Sequence, residues 1–148
     1  MGKGKASKYL VYVCLLAALV FLTTNLISLY IFNRTPHIHD EAAYNFQAKI
    51  FLKGRLYVPS PCAAEIFDFP HVVNNGRWYS QYPPGFPALL SIGYIFKAPW
   101  IINTIFAALT VTLILFLGIT LFDQNVAFLA SLFTSLSYWF LILSSTML

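Results

Sequence analysis

"YLVYVCLLAALVFLTTNLISLYIF", residues 9–32, is a run of 24 positions without a charge. As a helix rising about 1.5 Å per residue it would extend about 36 Å, enough for a hydrocarbon core of about 30 Å. The run therefore reads as a membrane-spanning helix. A cleaved signal peptide would have a shorter apolar region and a small-residue cleavage site, so an uncleaved signal anchor is the better reading. Lys3, Lys5 and Lys8 precede it with no acid nearby. The positive-inside rule then places residues 1–8 in the cytoplasm and everything from Asn33 onward on the outer face.

Composition agrees. The chain is 59% hydrophobic, 18% aromatic and only 9% charged, against roughly 25% charged residues in a soluble domain. The formal charge of +4 comes from scattered bases without a basic stripe, which excludes a nucleic-acid partner. Cys14 lies inside the first apolar run and Cys62 in the polar stretch after it, different depths that make them poor disulfide partners. No CxxC or HExxH pattern occurs; His37-x-His39-Asp40 offers only two histidines one residue apart, a weak metal signal.

Residues 33–98 read as an external loop with ordered pieces. Over 41–53, Glu41, Asn45, Lys49 and Lys53 recur every fourth position while Ala43, Phe46 and Ile50 cover another sector, and Gly54 supplies a stop. This predicts a helix at the membrane interface with snorkelling lysines. "YVPSPC" and "VVNNGRWYS" are turn-rich. From 86 to 122 a second apolar stretch is interrupted only by Lys97-Ala98-Pro99. Its first part, about 84–97, has the length of an interfacial or re-entrant helix. The second, 99–122, spans, with Pro99 tolerated in its first turn. After the Asp123-Gln124-Asn125 turn, 126–148 predicts a third span. The expected fold is thus an all-α polytopic membrane protein with three transmembrane helices and two juxtamembrane helices. An alternative makes 84–97 a short span, giving four and placing Lys97 in the cytoplasm. The apolar end "LSSTML" suggests a truncated reading frame or a fragment of something longer.

Asp40 and Glu41, two of only five acids, follow the first span directly. Asp40 reads as an N-cap, a position where a carboxylate accepts backbone N–H bonds, and equally as a general base or metal ligand. Glu41 in the first turn suits the helix macrodipole and is the secondary catalytic candidate. His37 and His39 read as loop residues, and the Asn33-Arg34-Thr35 sequon as chance. Arg77, in an aromatic setting near the membrane surface, could hold a phosphate.

Taken in order, "HDEAAYNFQAKIFLKGRLYVP", "RWYSQYPPGFPALLSIGYIF" and the apolar segment from "APWIINTIF" to the end resemble the N-terminal part of the GT-C glycosyltransferases. These polytopic enzymes include the protein O-mannosyltransferases and the lipid A aminoarabinose transferases, and the likeness covers essentially the whole chain. The resemblance implies sugar transfer, with inversion, from a polyisoprenyl-phosphate-linked donor at the outer face of a bacterial cytoplasmic membrane. Asp40 would deprotonate the acceptor, or help coordinate a divalent metal where one is used. Arg77 and Tyr82 become candidates near the lipid phosphate, because Tyr82 stands where the aminoarabinose transferases carry a lysine before the two prolines. Such enzymes have more than ten spans, which implies a truncated GT-C fold, inactive alone. The competing reading is a small non-catalytic membrane interaction or assembly subunit. A transporter is a third, weakened by the lack of ionisable residues mid-span.

Overall fold

The structure, a computed structural model, describes residues 3–148, with side chains described from Tyr9 onward. The expected cytoplasmic tail of residues 1–8, with its three lysines, lies outside the described side chains. The described chain is mostly helical and divides into two compact units.

One unit joins the chain up to Ile31 to Asn103–Ser145. Its helices are α1 (Lys3–Tyr30), α4 (Ile101–Leu121), α5 (Gln124–Leu136) and α6 (Tyr138–Leu143). Two helices are long and apolar enough to cross a membrane: the Tyr9–Tyr30 part of α1 and α4. Mostly small or hydroxylated side chains turn inward, with Leu115 the large exception. On α1 these are Val13, Val20, Thr24 and Ser28, on α4 Thr104, Ala107, Val111 and Leu115, and on α5 Ala127, Ser131 and Ser135. Large apolar side chains such as Leu15, Leu22, Leu113, Leu117 and Phe133 face outward. The buried hydroxyls bond to their own helices, Thr24 to the Val20 carbonyl at 2.8 Å and Ser131 to that of Ala127 at 2.9 Å. Asn25 reaches across from α1 to Thr104 Oγ1 at 3.0 Å. α4 and α5 approach closely at Gly118, where a Cβ would lie 2.7 Å from both Cα and Cβ of Ala127.

The third apolar stretch departs from the single span expected over 126–148. Asp123 caps α5, its Oδ1 accepting the N–H groups of Asn125 (2.7 Å) and Val126 (3.0 Å). The helix then stops at Ser137, which adopts an extended conformation (φ −67°, ψ 118°) and caps α6 in turn. At 13 residues α5 extends about 20 Å, well below a hydrocarbon core.

The other unit comprises Phe32–Ile102 and Thr146–Leu148. The chain leaves α1 through Asn33 and Arg34, both left-handed (φ 50° and 57°). It then forms α2 (His39–Phe51), β1 (Val58–Pro59), a 3₁₀ turn (Ala64–Phe67), β2 (Val72–Asn74), β3 (Arg77–Ser80) and α3 (Gly85–Ile95). The strands make a small antiparallel sheet in the order β1-β3-β2, with Val58 opposite Trp78 and Val73 opposite Tyr79. The all-α expectation is corrected here: "VVNNGRWYS" is a hairpin that turns at Gly76 (φ 89°). α2 ends before Gly54, which takes φ 66° as a helix stop requires. α3 spans 11 residues, about 16 Å, too short for the four-span alternative. It ends at left-handed Lys97 (φ 57°), and the chain then folds back so closely that a Cβ on Gly93 would lie 2.7 Å from Pro99 Cα.

α2 and α3 pack against each other, and Ala43, Ala48 and Ile50 on the first and Pro87 and Leu90 on the second are buried. The four-residue polar stripe of α2 divides. Lys49 and Lys53 are exposed, but Glu41 and Asn45 are buried, and hydrogen bonds explain why. Asn45 donates to the Glu41 carbonyl at 2.7 Å and accepts from the Tyr94 hydroxyl. Gln47, also buried, ties α2 to the sheet by accepting the Ser80 N–H (2.8 Å) and donating to the Leu56 carbonyl (2.9 Å).

Candidate active site

The start of α2 separates the two acids. Ile38 is the N-cap residue, extended and without a side-chain cap, so Asp40 is not the cap expected of it. It stands in the first turn with its side chain directed to groups from β2 and beyond. Glu41, one position on, points inward. It is 1% exposed, and its Oε2 accepts the backbone N–H of His37 at 2.8 Å. The bonded N–H lies one residue ahead of the N-cap Ile38, so the carboxylate ties the incoming chain to the first turn of α2. Glu41 therefore has a structural task, and its carboxylate is withdrawn from the surface where chemistry would occur.

Asp40 is 39% exposed and carries two donors on one oxygen. Its Oδ1 accepts from the Tyr82 hydroxyl at 2.7 Å and lies 3.1 Å from Nε2 of His71. His71 is held in turn by Gln81, whose Nε2 is 2.6 Å from His71 Nδ1 and whose backbone N–H donates to the His71 carbonyl at 3.0 Å. With the amide donating to Nδ1, the proton of the neutral ring sits on Nε2, facing Asp40. The chain Gln81–His71–Asp40 thus fixes tautomer, ring and carboxylate together. His71 adopts φ 67°, a left-handed conformation that non-glycine residues take at a cost. It is accommodated at the entry to β2, just where the ring must turn toward α2.

Rings close the site on its other sides. Tyr82 stacks between Tyr44 (centroids 4.7 Å apart) and His71 (5.5 Å), and Phe86 meets Tyr44 edge-on at 5.4 Å. The hydrogen bond to Asp40 and, after it, partial desolvation push the Tyr82 phenol above its ordinary value of about 10. Tyr82 is thus a neutral donor throughout the physiological range. Asp40 Oδ2 has no partner among the described residues. A carboxylate clamped through one oxygen and open at the other can receive a proton from an approaching hydroxyl, or bind a cation. Beside the site, a cavity of about 410 Å³ is bounded by Gln47, Phe51, Leu56, Gln81, Tyr82 and Pro84.

Of the residues singled out from sequence, the structure joins Asp40 to Tyr82 and separates both from Arg77. Arg77 opens β3 opposite Pro59, with its guanidinium 4.7 Å from the Tyr57 ring centre. His37 and His39 are engaged elsewhere: the His37 ring with the Phe32 carbonyl at 2.8 Å, His39 with the Phe69 ring at 5.1 Å. Asp40 and His71 are two potential metal donors, and no group of three His, Cys, Asp or Glu side chains gathers anywhere among the described residues. His71 and Gln81 are the members that sequence reasoning missed. No local spacing marks them, since 31 residues separate His71 from Asp40 and only the β2–β3 hairpin returns the chain to α2.

No family model, curated protein or solved structure matches the chain.

Proposed function

We propose that this chain is the N-terminal part of a GT-C-type glycosyltransferase of the bacterial cytoplasmic membrane, using Asp40 as general base on its outer face. The observation that carries the reading is the division of labour within one carboxylate, Oδ1 held by Tyr82 and His71 while Oδ2 is open. An acceptor hydroxyl would give its proton to Oδ2 as its oxygen bonds to the anomeric carbon. The bond from that carbon to the phosphate oxygen breaks, the configuration inverts and the polyisoprenyl phosphate departs. A hydroxyl is a poor nucleophile until its proton is taken, so a base fixed in position is what this chemistry asks of the protein. Arg77 stands apart on its Tyr57 shelf, so the cation for the lipid phosphate is not assigned to it.

Membrane insertion is supported by α1 and α4. Only 17% and 22% of their most apolar windows are buried, whereas a core helix of a soluble protein would be mostly covered. Their inward faces carry mostly small or hydroxylated residues and their outward faces large apolar ones, as helices packing within lipid do. The proposed span count is three, the third made of α5 and α6 with the break at Ser137.

The test is the reading frame past codon 148: several further hydrophobic spans in frame support the reading, and a clean stop favours the assembly subunit. The protein extended by those spans and reconstituted in liposomes should release lipid phosphate from a polyisoprenyl-phosphate-linked sugar donor, and Asp40→Asn should abolish release while inserting normally. Release unaffected by Asp40→Asn would remove Asp40 from the mechanism.

A further inference from the structure

α2 and α3 lie side by side and run the same way. Tyr82, just ahead of α3, bonds to Asp40 at the start of α2, and Phe86 meets the ring of Tyr44 one turn on. Lys49, near the end of α2, holds its Nζ 5.5 Å from the ring centre of Tyr94, near the end of α3. The C-terminal ends of the two helices therefore lie together, at the far end of the pair from Asp40.

Apolar surface is concentrated at that end. From Glu41 to Ile50 α2 is enclosed, with Lys49 the one exposed residue, so the face left over belongs to α3. Pro87, Leu90 and Gly93 are buried on one side of α3, while Leu89, Ile92 and Phe96 stand outward at spacings of three and four, the repeat of a single helix face. Exposure along this stripe climbs from 38% at Leu89 through 48% at Ile92 to 65% at Ile95 and 76% at Phe96. Large apolar side chains aligned on one exposed face mark a contact surface.

Charge identifies the contact. Lys53 and Arg55 follow α2, Lys97 follows α3, and all three are exposed, as Lys49 is. None of the four pairs with a carboxylate among the described residues, where the one ion pair is that of His71 with Asp40. No acid occurs between Glu41 and Glu65 or between Asp68 and Asp123, so neither helix nor its exit offsets them. A cation in the last turn complements the helix dipole, which accounts for Lys49 but not for Lys53, Arg55 and Lys97 gathering beside an apolar stripe. Apolar side chains with a cationic margin suit the headgroup layer of a bilayer, the former reaching the acyl boundary and the latter meeting phosphate.

We infer that the C-terminal ends of α2 and α3 form a docking surface for anionic phospholipids, with the α3 stripe at the acyl boundary and Lys49, Lys53, Arg55 and Lys97 on headgroup phosphates. The inference rests on the membrane reading of α1 and α4 and is independent of any role of Asp40.

Spin-labelled lipids test it on the full chain in liposomes, in a Cys14→Ser, Cys62→Ser background with a fluorophore attached in Phe96→Cys. Quenching by doxyl-phosphatidylglycerol is compared with quenching by doxyl-phosphatidylcholine. A fluorophore attached instead in Leu22→Cys, on the outward face of α1, reports insertion separately. At position 96 both lipids should quench, with the anionic lipid favoured at least about fivefold, the gain expected from one cation at an anionic surface. Salt at about 1 M, where the screening length falls to about 3 Å, should erase the preference. The combined variant Lys49→Gln, Lys53→Gln, Arg55→Gln, Lys97→Asn should erase it too while leaving quenching at position 22 unchanged; asparagine suits the left-handed backbone at position 97. With position 22 quenched, three results would overturn the inference: no quenching at position 96, as when a protein covers the face; equal quenching by the two lipids; or a preference that survives loss of the four charges. No quenching at position 22 would remove the membrane reading itself, and the inference with it.

Discussion

Adjacent carboxylates in "HDEAAY" should respond to substitution in opposite ways, and Glu41 gives the sharper case. Its carboxylate is buried at 1% exposure and accepts the His37 N–H at 2.8 Å. Glu41→Ala leaves that N–H without its acceptor, a loss of about 1–3 kcal/mol, and removes a buried methylene worth about 0.8 kcal/mol. The expected destabilisation is about 2–4 kcal/mol. Glu41→Gln keeps an acceptor oxygen of similar reach, so it should lose no more than about 1 kcal/mol. Asp40→Ala, at a carboxylate 39% exposed, should lose about 1 kcal/mol or less, because bonds near solvent are exchanged for bonds to water. Reversible unfolding in mixed micelles, followed by far-ultraviolet circular dichroism, measures all three. The expected pattern is a clear loss in Glu41→Ala and near wild-type stability in Glu41→Gln and Asp40→Ala. A Glu41→Ala chain as stable as wild type, or an Asp40→Ala chain less stable than Glu41→Ala, would refute the division of roles.

Gly118→Ala places a methyl 2.7 Å from the Cα and Cβ of Ala127, so α4 and α5 must separate; a loss of about 1–3 kcal/mol is expected in the same unfolding measurement. Asp123→Ala removes the acceptor of two N–H groups at the head of α5 and should lose about 1 kcal/mol, with Asp123→Ser recovering most of it. The raised Tyr82 value means that the folded state favours the neutral phenol. Its stabilising bond to Asp40 is complete below the unfolded value of about 10 and disappears as pH rises through the folded one. In a phenolate absorbance titration, Tyr82→Phe should remove a late-titrating tyrosine and Asp40→Asn should bring that tyrosine down; an unchanged curve in Asp40→Asn would contradict the assigned cause.

Uninterrupted apolar length was readable directly: 24 uncharged residues leave few options besides a long helix, and α1 and α4 are such helices. Gly54 was readable too, since only its backbone freedom was at issue. Shorter elements were harder. Val72, Val73, Trp78 and Tyr79 flank Asn75-Gly76, a hairpin signal in its own right, but in a turn-rich loop the strands were too brief to stand out. The break at Ser137 has neither proline nor glycine to announce it; the serine acts by capping, which pattern alone does not distinguish from a hydroxyl inside a helix. The burial of Glu41 and Asn45 was not legible, because period shows which residues share a face and not whether that face has partners waiting in Tyr94 and His37. The candidate site was half legible. Asp40 stood out by rarity of charge, while His71 and Gln81 join it only through tertiary pairing.

The left-handed backbone at His71 bears on which replacements position 71 can accept. Its main chain, at φ 67°, is best served by glycine or asparagine, while the contacts to Gln81 and Asp40 require a ring with a nitrogen at each of two edges. Glycine would relax the backbone and free the carboxylate to rotate. Asparagine would keep the turn but is too short to bridge both partners, and glutamine would reach farther at greater backbone strain. Among the twenty side chains only histidine meets both demands, so the strain at this position is the condition under which Asp40 is held still.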